Sequence, residues 1–216
     1  MRRLIDVLGA VALATAAIFG AMTGHAIAEP IEDVDYIVIA PHASFVPEKI
    51  EVIEFFYYGC DSCNRLEPRL QSWLKTLAPD ISFRRVPALR RASWVPLTKV
   101  YYALEQLGEL DRLHTQVYRA VHDEGLNLGN SSELSDWAEK VSIDRARLEQ
   151  LLDSDLLQAQ VQRARDTTVA YGIRATPSFV VDGKYMTSGG LVGTLDALLP
   201  TVDALVDKAR LSRSSK

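Results

Sequence analysis

Nine residues from Ile50 to Tyr58, Ile-Glu-Val-Ile-Glu-Phe-Phe-Tyr-Tyr, stop at Gly59 and give way at once to Cys60-Asp61-Ser62-Cys63. A β-branched and aromatic run of this kind reads as a strand buried on both faces, as at the centre of a layered α/β sheet. Beyond the cysteines, Leu66, Leu70, Trp73, Leu74 and Leu77 recur at helical spacing. Pro68 falls inside that helix and should kink it, because it removes a backbone hydrogen bond and crowds the preceding turn. Ile81 to Val86 alternates like a second strand, entered through the turn pair Pro79-Asp80. The segment is therefore a β-α-β unit, expected to be parallel and right-handed, with two thiols at its first strand-to-helix junction.

From Trp94 to Tyr171 no convincing strand appears. Apolar residues fall at three- and four-residue steps (Leu97, Val100, Tyr101, Leu104; then Leu110, Leu113, Val117, Val121). A polar break from Asp123 to Asn130 precedes helices expected from Ser131, from Asp144 to Leu152, and from Ser154 to Tyr171. Strand character returns at Pro177 to Val181, with Asp182-Gly183 as a hairpin turn and Lys184 to Ser188 as its partner. Thr194 to Leu211 closes the chain as an amphipathic helix. The order predicts an α/β, thioredoxin-like fold with a large all-helical insertion. Its N-terminal part spans 29–92, the insertion 93–171, the C-terminal part 172–211, and a frayed tail 212–216.

Residues 1–28 read as a leader for export. Arg2 and Arg3 precede an uncharged run from Val7 to Met22, and Ala26-Ile27-Ala28 gives the small-x-small pattern a signal peptidase accepts. Sixteen apolar residues fall short of the roughly 20 that span a bilayer, which favours cleavage after Ala28 over an uncleaved anchor. The 188 residues that would remain carry 22 basic and 27 acidic side chains. A formal charge of −5 gives no general electrostatic reason to hold nucleic acid or anionic lipid. Arg84-Arg85 and Arg90-Arg91 read as a solvated edge.

An exported chain with only two cysteines, three positions apart, has no framework of structural disulfides. Closing so short a loop removes little unfolded-state entropy, so stability is a poor reason to keep such a bond. A structural zinc site needs four ligands, and His42, His114 and His122 are not paired at a metal-ligand spacing. The three histidines read as surface or helix-packing residues, and Trp73, Trp94 and Trp137 as core anchors. Disulfide exchange, by contrast, needs a thiolate that attacks and a second thiol close enough to resolve the mixed disulfide. Cys60 at a helix N-terminus meets unpaired N–H groups and the positive end of the dipole, which favour a thiolate. Cys63, one turn later, is the resolving thiol. No metal, nucleotide or flavin motif accompanies the pair, and the redox-active disulfide itself is the only redox group expected.

Phe55 to Cys63, Pro68, and the stretch Gly172-Ile173-Arg174-Ala175-Thr176-Pro177-Ser178-Phe179-Val180-Val181-Asp182-Gly183 resemble the DsbA family of periplasmic thiol:disulfide interchange proteins. The resemblance covers nearly the whole chain after the leader. It implies that Pro177 is a cis-proline lying against the active-site pair, with the Thr176 hydroxyl beside the Cys60 sulfur and the Thr176 backbone free for an extended substrate. It also implies that Glu54 is a buried acid beneath Cys63, able to shuttle its proton; Glu51, on the same strand, reads as the solvated one. The implied activity is donation of the Cys60–Cys63 disulfide to reduced, unfolded exported proteins by a monomer in the periplasm. Reoxidation would come from a DsbB-like membrane quinone reductase. A reductase or isomerase of the same superfamily, and a non-catalytic adaptor or chaperone, remain the alternatives.

One departure matters. The archetypal family dipeptide is Pro-His, and here it is Asp61-Ser62. A polarising histidine is lost, Ser62 offers a hydroxyl or backbone donor, and the Asp61 charge is expected to raise the Cys60 pKa and weaken the oxidant.

Overall fold

The computed structural model describes residues 29–42, 44 and 46–215; the expected leader at 1–28 lies outside them. Strand β1 (Ile37–Val38) is followed by β2 (Ile50–Phe56), α1 (Asp61–Leu74) and β3 (Ile81–Pro87). Five helices come next: α2 (Val95–Leu107), α3 (Leu110–His122), α4 (Ser131–Lys140), α5 (Arg145–Leu152) and α6 (Asp155–Ala170). Strands β4 (Ser178–Val181) and β5 (Tyr185–Ser188) and helix α7 (Leu195–Ser214) complete the chain. The expected β-α-β, helical block, β-β-α order is what the chain adopts.

The sheet runs β1-β5-β4-β2-β3, with β2 parallel to β3 and antiparallel to β4. Strand β2 is interior, and all seven of its residues are buried. Its alternation sends Val52 towards Leu66, Leu70, Leu198 and Val202 of α1 and α7, and Ile53 and Phe55 towards Tyr171, Ile173 and Val180 on the other face. Phe56 and Tyr58 reach a third cluster with Tyr101, Leu113, Val117 and Tyr118 of the insertion. Each large side chain fully buried here contributes roughly 1.5–3 kcal/mol, so the strand entering the active site is among the firmest parts of the fold.

Helix starts follow the sequence closely. Asn130 Oδ1 accepts from the Ser132 and Glu133 N–H groups, Asp144 from Arg147, Ser154 from Leu157 and Thr194 from Ala197. Of the tail expected to fray, residues 212–214 are helical instead, since α7 continues to Ser214. Arg213 holds it down, pairing with Asp182 and donating to the Pro47 and Lys49 carbonyls at 2.8 and 2.9 Å.

Two further expectations change. Glu51 is not solvated but 1% exposed, because both faces of β2 are covered; its Oε1 accepts from Arg84 Nε at 2.8 Å. Arg84 and Arg85 are accordingly not a solvated edge. The parallel register sets Glu54 opposite Arg85, and the two arginines fold back over the acids of β2. Arg90 and Arg91 stay exposed as expected. Trp137 is buried, whereas Trp94 is half-buried and stacked on Tyr57 at 4.0 Å, and Trp73 donates to Asp203.

Candidate active site

Gly59 ends the strand segment, and Cys60 N–H returns to the Tyr57 carbonyl at 3.0 Å, a turn that sets Cys60 as the N-cap of α1. Cys60 is half-buried and Cys63, one helical turn on, is 1% exposed; both are free thiols. The chain crosses in front of Cys60 at Thr176, whose peptide bond to Pro177 is cis, and Cys60 Sγ–H donates to the Thr176 carbonyl at 3.3 Å.

The two thiols differ sharply. Cys60 is lowered to about 5, chiefly by the hydrogen bond from the Cys63 thiol; burial opposes this, and the Thr176 side chain and the Cys63 and Ser62 N–H groups add to it. Cys63 is raised well above the usual thiol range, first by burial and then by Cys60. These are the orphan N–H groups of a helix start turned onto a sulfur. Ser62 thus acts through its backbone, while its hydroxyl accepts from Arg65 Nη2 at 3.2 Å. The Asp61 side chain is 85% exposed and faces His122.

Beneath the pair sits Glu54, 1% exposed and pushed up to about 7 by burial, with Arg85 working against the rise and Glu67 adding to it. Arg85 Nε donates to Glu54 Oε2 at 2.9 Å, and its Nη2 lies 3.4 Å from Glu67 Oε2 on α1. Burial acts to raise Glu67 too, yet His114, Arg85 and a 2.6 Å hydrogen bond from Gln71 hold it below the ordinary carboxylate value. His114 is pushed down by burial; its Nδ1 meets the Tyr58 hydroxyl at 2.8 Å. Its Nε2 lies 3.6 Å from Glu67, an electrostatic contact rather than a hydrogen bond. The structure thus brings Cys60, Asp61, Ser62, Cys63, Thr176, Pro177 and Glu54 to one place, and adds Arg85, Glu67, His114 and His122. Arg85 carried a readable signal, the alternation of β3 beside β2. The histidines carried none, since their partners lie 47 and more residues away (Glu67 to His114).

A two-cysteine turn at the start of a helix, facing a cis-proline on a thioredoxin-like sheet with a helical insertion, defines a thiol–disulfide oxidoreductase. Comparison with known proteins narrows the class. Residues 66–196 match the family model of the DSBA-like thioredoxin domain. The chain is 37% identical over 204 residues to the thiol:disulfide interchange protein DsbA of Bordetella parapertussis, covering 94% of this chain and 95% of that one. Among solved structures, Pseudomonas aeruginosa DsbA superposes with a TM-score of 0.81 at 29% identity, over 86% of this chain and 97% of that one. The oxidoreductase DsbA of Xylella fastidiosa gives 0.77 at 30% identity, over 85% and 99%. The chain belongs to the DsbA family, and it is a thiol–disulfide oxidoreductase that exchanges disulfides with substrate proteins.

Proposed function

We propose that this protein is an exported disulfide oxidase that hands its Cys60–Cys63 disulfide to reduced, unfolded proteins through a mixed disulfide. The observation that carries this reading is the asymmetry of the two thiols, one favouring a thiolate near pH 5 and the other held protonated. A substrate thiolate attacks Cys60 Sγ, the S–S bond breaks, and Cys63 leaves with the electron pair. Cys63 cannot remain a buried anion, so it takes a proton, supplied by Glu54, which is half-protonated near neutrality. The substrate's second thiolate then attacks its own sulfur in the mixed disulfide, and Cys60 departs as a stabilised thiolate. Two substrate thiols become one disulfide, and two electrons stay on the reduced pair. A low-pKa leaving thiol makes a strong oxidant.

Thr176 and Pro177 would hold the substrate in extended form beside a cavity of about 280 Å³ lined by Ser62, Arg65, Pro177, Gly190 and Leu195. The setting is the periplasm, the working form a monomer, and the electron acceptor a DsbB-like membrane quinone reductase that takes two electrons and two protons. No cofactor enters this cycle. Alkylation trapping in cells tests the direction: the pair is expected mostly oxidised, and a mostly reduced pair sinks the oxidase reading in favour of a reductase or isomerase.

The shuttle makes its own prediction. For native protein the rate of peptide oxidation should bend near pH 7, where Glu54 titrates. Glu54→Gln should slow oxidation about 10- to 100-fold at neutral pH and remove that bend. Stopped-flow rates from pH 5 to 9 check it; an unchanged profile rules the shuttle out.

A further inference from the structure

His122 is the last residue of α3, in the insertion, yet its ring meets the chain on both sides of Cys60. Its Nε2 lies 2.7 Å from the carbonyl oxygen of Tyr58, two residues before the cysteine. Its Nδ1 lies 3.3 Å from Asp61 Oδ1, one residue after it. A carbonyl only accepts, so Nε2 carries a proton. A carboxylate also only accepts, so the second contact is attractive only when Nδ1 is protonated as well. The ring is 12% exposed and sits at a helix C-terminus, where the dipole favours a cation. The charged groups nearest along its own chain are Arg119, Asp123 and Glu124, the last already paired with Lys140 at 2.8 Å; from α1 it faces Asp61.

We propose that His122 is a positioning residue of the redox site: its ring bridges the Asp61 carboxylate and the Tyr58 carbonyl, and its imidazolium form cancels the Asp61 charge beside the Cys60 thiolate. The proposal rests on Cys60 being the attacking thiol. The charge that the family dipeptide carries inside its motif is here split, with an acid in the motif and its counter-cation lent by the insertion. An unmatched Asp61 would disfavour the thiolate and weaken the disulfide as an oxidant; His122 removes that penalty.

The test is a coupled set of variants of the whole protein. It is read by thiolate absorbance against pH and by the redox equilibrium with glutathione. His122→Gln keeps a donor for Tyr58 but no charge. It should raise the Cys60 pKa and lower the oxidising equilibrium constant about threefold to tenfold. His122→Lys, which keeps the charge, should stay within about twofold of native. In an Asp61→Asn background His122→Gln should lose its effect, again to within about twofold. A loss of equal size in both backgrounds marks a purely structural role and overturns the proposal, as does a neutral His122→Gln. If His122→Gln does not fold, His122→Asn against His122→Lys makes the same comparison. Rapid alkylation at mildly acidic pH keeps the underlying reading separate: labelling of Cys63 instead of Cys60 would overturn that reading itself.

Discussion

Cys60→Ala is expected to abolish oxidation of a reduced two-thiol peptide, a loss of at least ~10³-fold, or about 4 kcal/mol of transition-state stabilisation. No other sulfur can take over, because Cys63 is 1% exposed and held as a thiol. Cys63→Ala should behave differently. Cys60 remains half-buried at the surface and keeps its backbone N–H donors though not the Cys63 thiol. Its thiolate can still attack the disulfide of an oxidised peptide, forming a mixed disulfide and releasing the peptide's other sulfur as a thiolate, and nothing inside the protein resolves that adduct. After incubation with the oxidised peptide, gel analysis without reductant should therefore show covalent adducts for Cys63→Ala and none for Cys60→Ala. Peptide oxidation surviving in Cys60→Ala would refute the assignment of the attacking thiol. A native protein that binds the peptide without oxidising it would move the reading to an adaptor.

Where local pattern decides structure, the sequence could be read directly. The unbroken strand before Cys60, the helical spacing after it and the Asp182-Gly183 turn depend on neighbours within a few residues, and each element stands where those neighbours place it. The cap residues Ser154 and Asp144 are of the same kind. What stayed hidden depends on pairings across the fold. Glu51 looks like a surface acid until β3 lies alongside in parallel register and Arg84 reaches over it. Arg213 looks like a disordered tail until the β4–β5 turn presents Asp182 to it. His122 looks like one more helical histidine, and only the packing of α3 against the start of α1 reveals its contact with Asp61. Burial of ionisable groups was the systematic blind spot, because alternation in a sequence reports which residues share a face but not whether a charge on that face has a partner.

Arg85→Met should show the largest loss of stability, because Arg85 is the cation facing two carboxylates, Glu54 and Glu67, each 1% exposed. Methionine fills much of the same space but leaves both acids without their cation, a change expected to cost about 3–5 kcal/mol at neutral pH. The pH dependence separates this cause from simple misfit. In the native protein Glu54 sits at about 7, above its ordinary 4.5. Its contribution to stability is therefore complete below pH 4.5 and is lost as pH rises through 7. Glu67 is shifted the other way, so its contribution is present above its ordinary value and lost as pH falls through its lower, folded-state value. Removing Arg85 takes away an attraction that lowers both acids. Glu67 loses stabilisation that operated at neutral pH, and Glu54 becomes still harder to ionise. The deficit should be greatest near pH 8 and shrink towards pH 5, where protonation of the acids supplies what the cation no longer does. Urea unfolding of the native protein and the variant at pH 5, 7 and 8 measures it directly. A deficit of the same size at all three would mean that the methionine side chain packs badly and that the charges of Glu54 and Glu67 do not depend on Arg85. The variant should also shift the bend in the rate profile upward from pH 7, since the acid beneath Cys63 would then hold its proton to a higher pH.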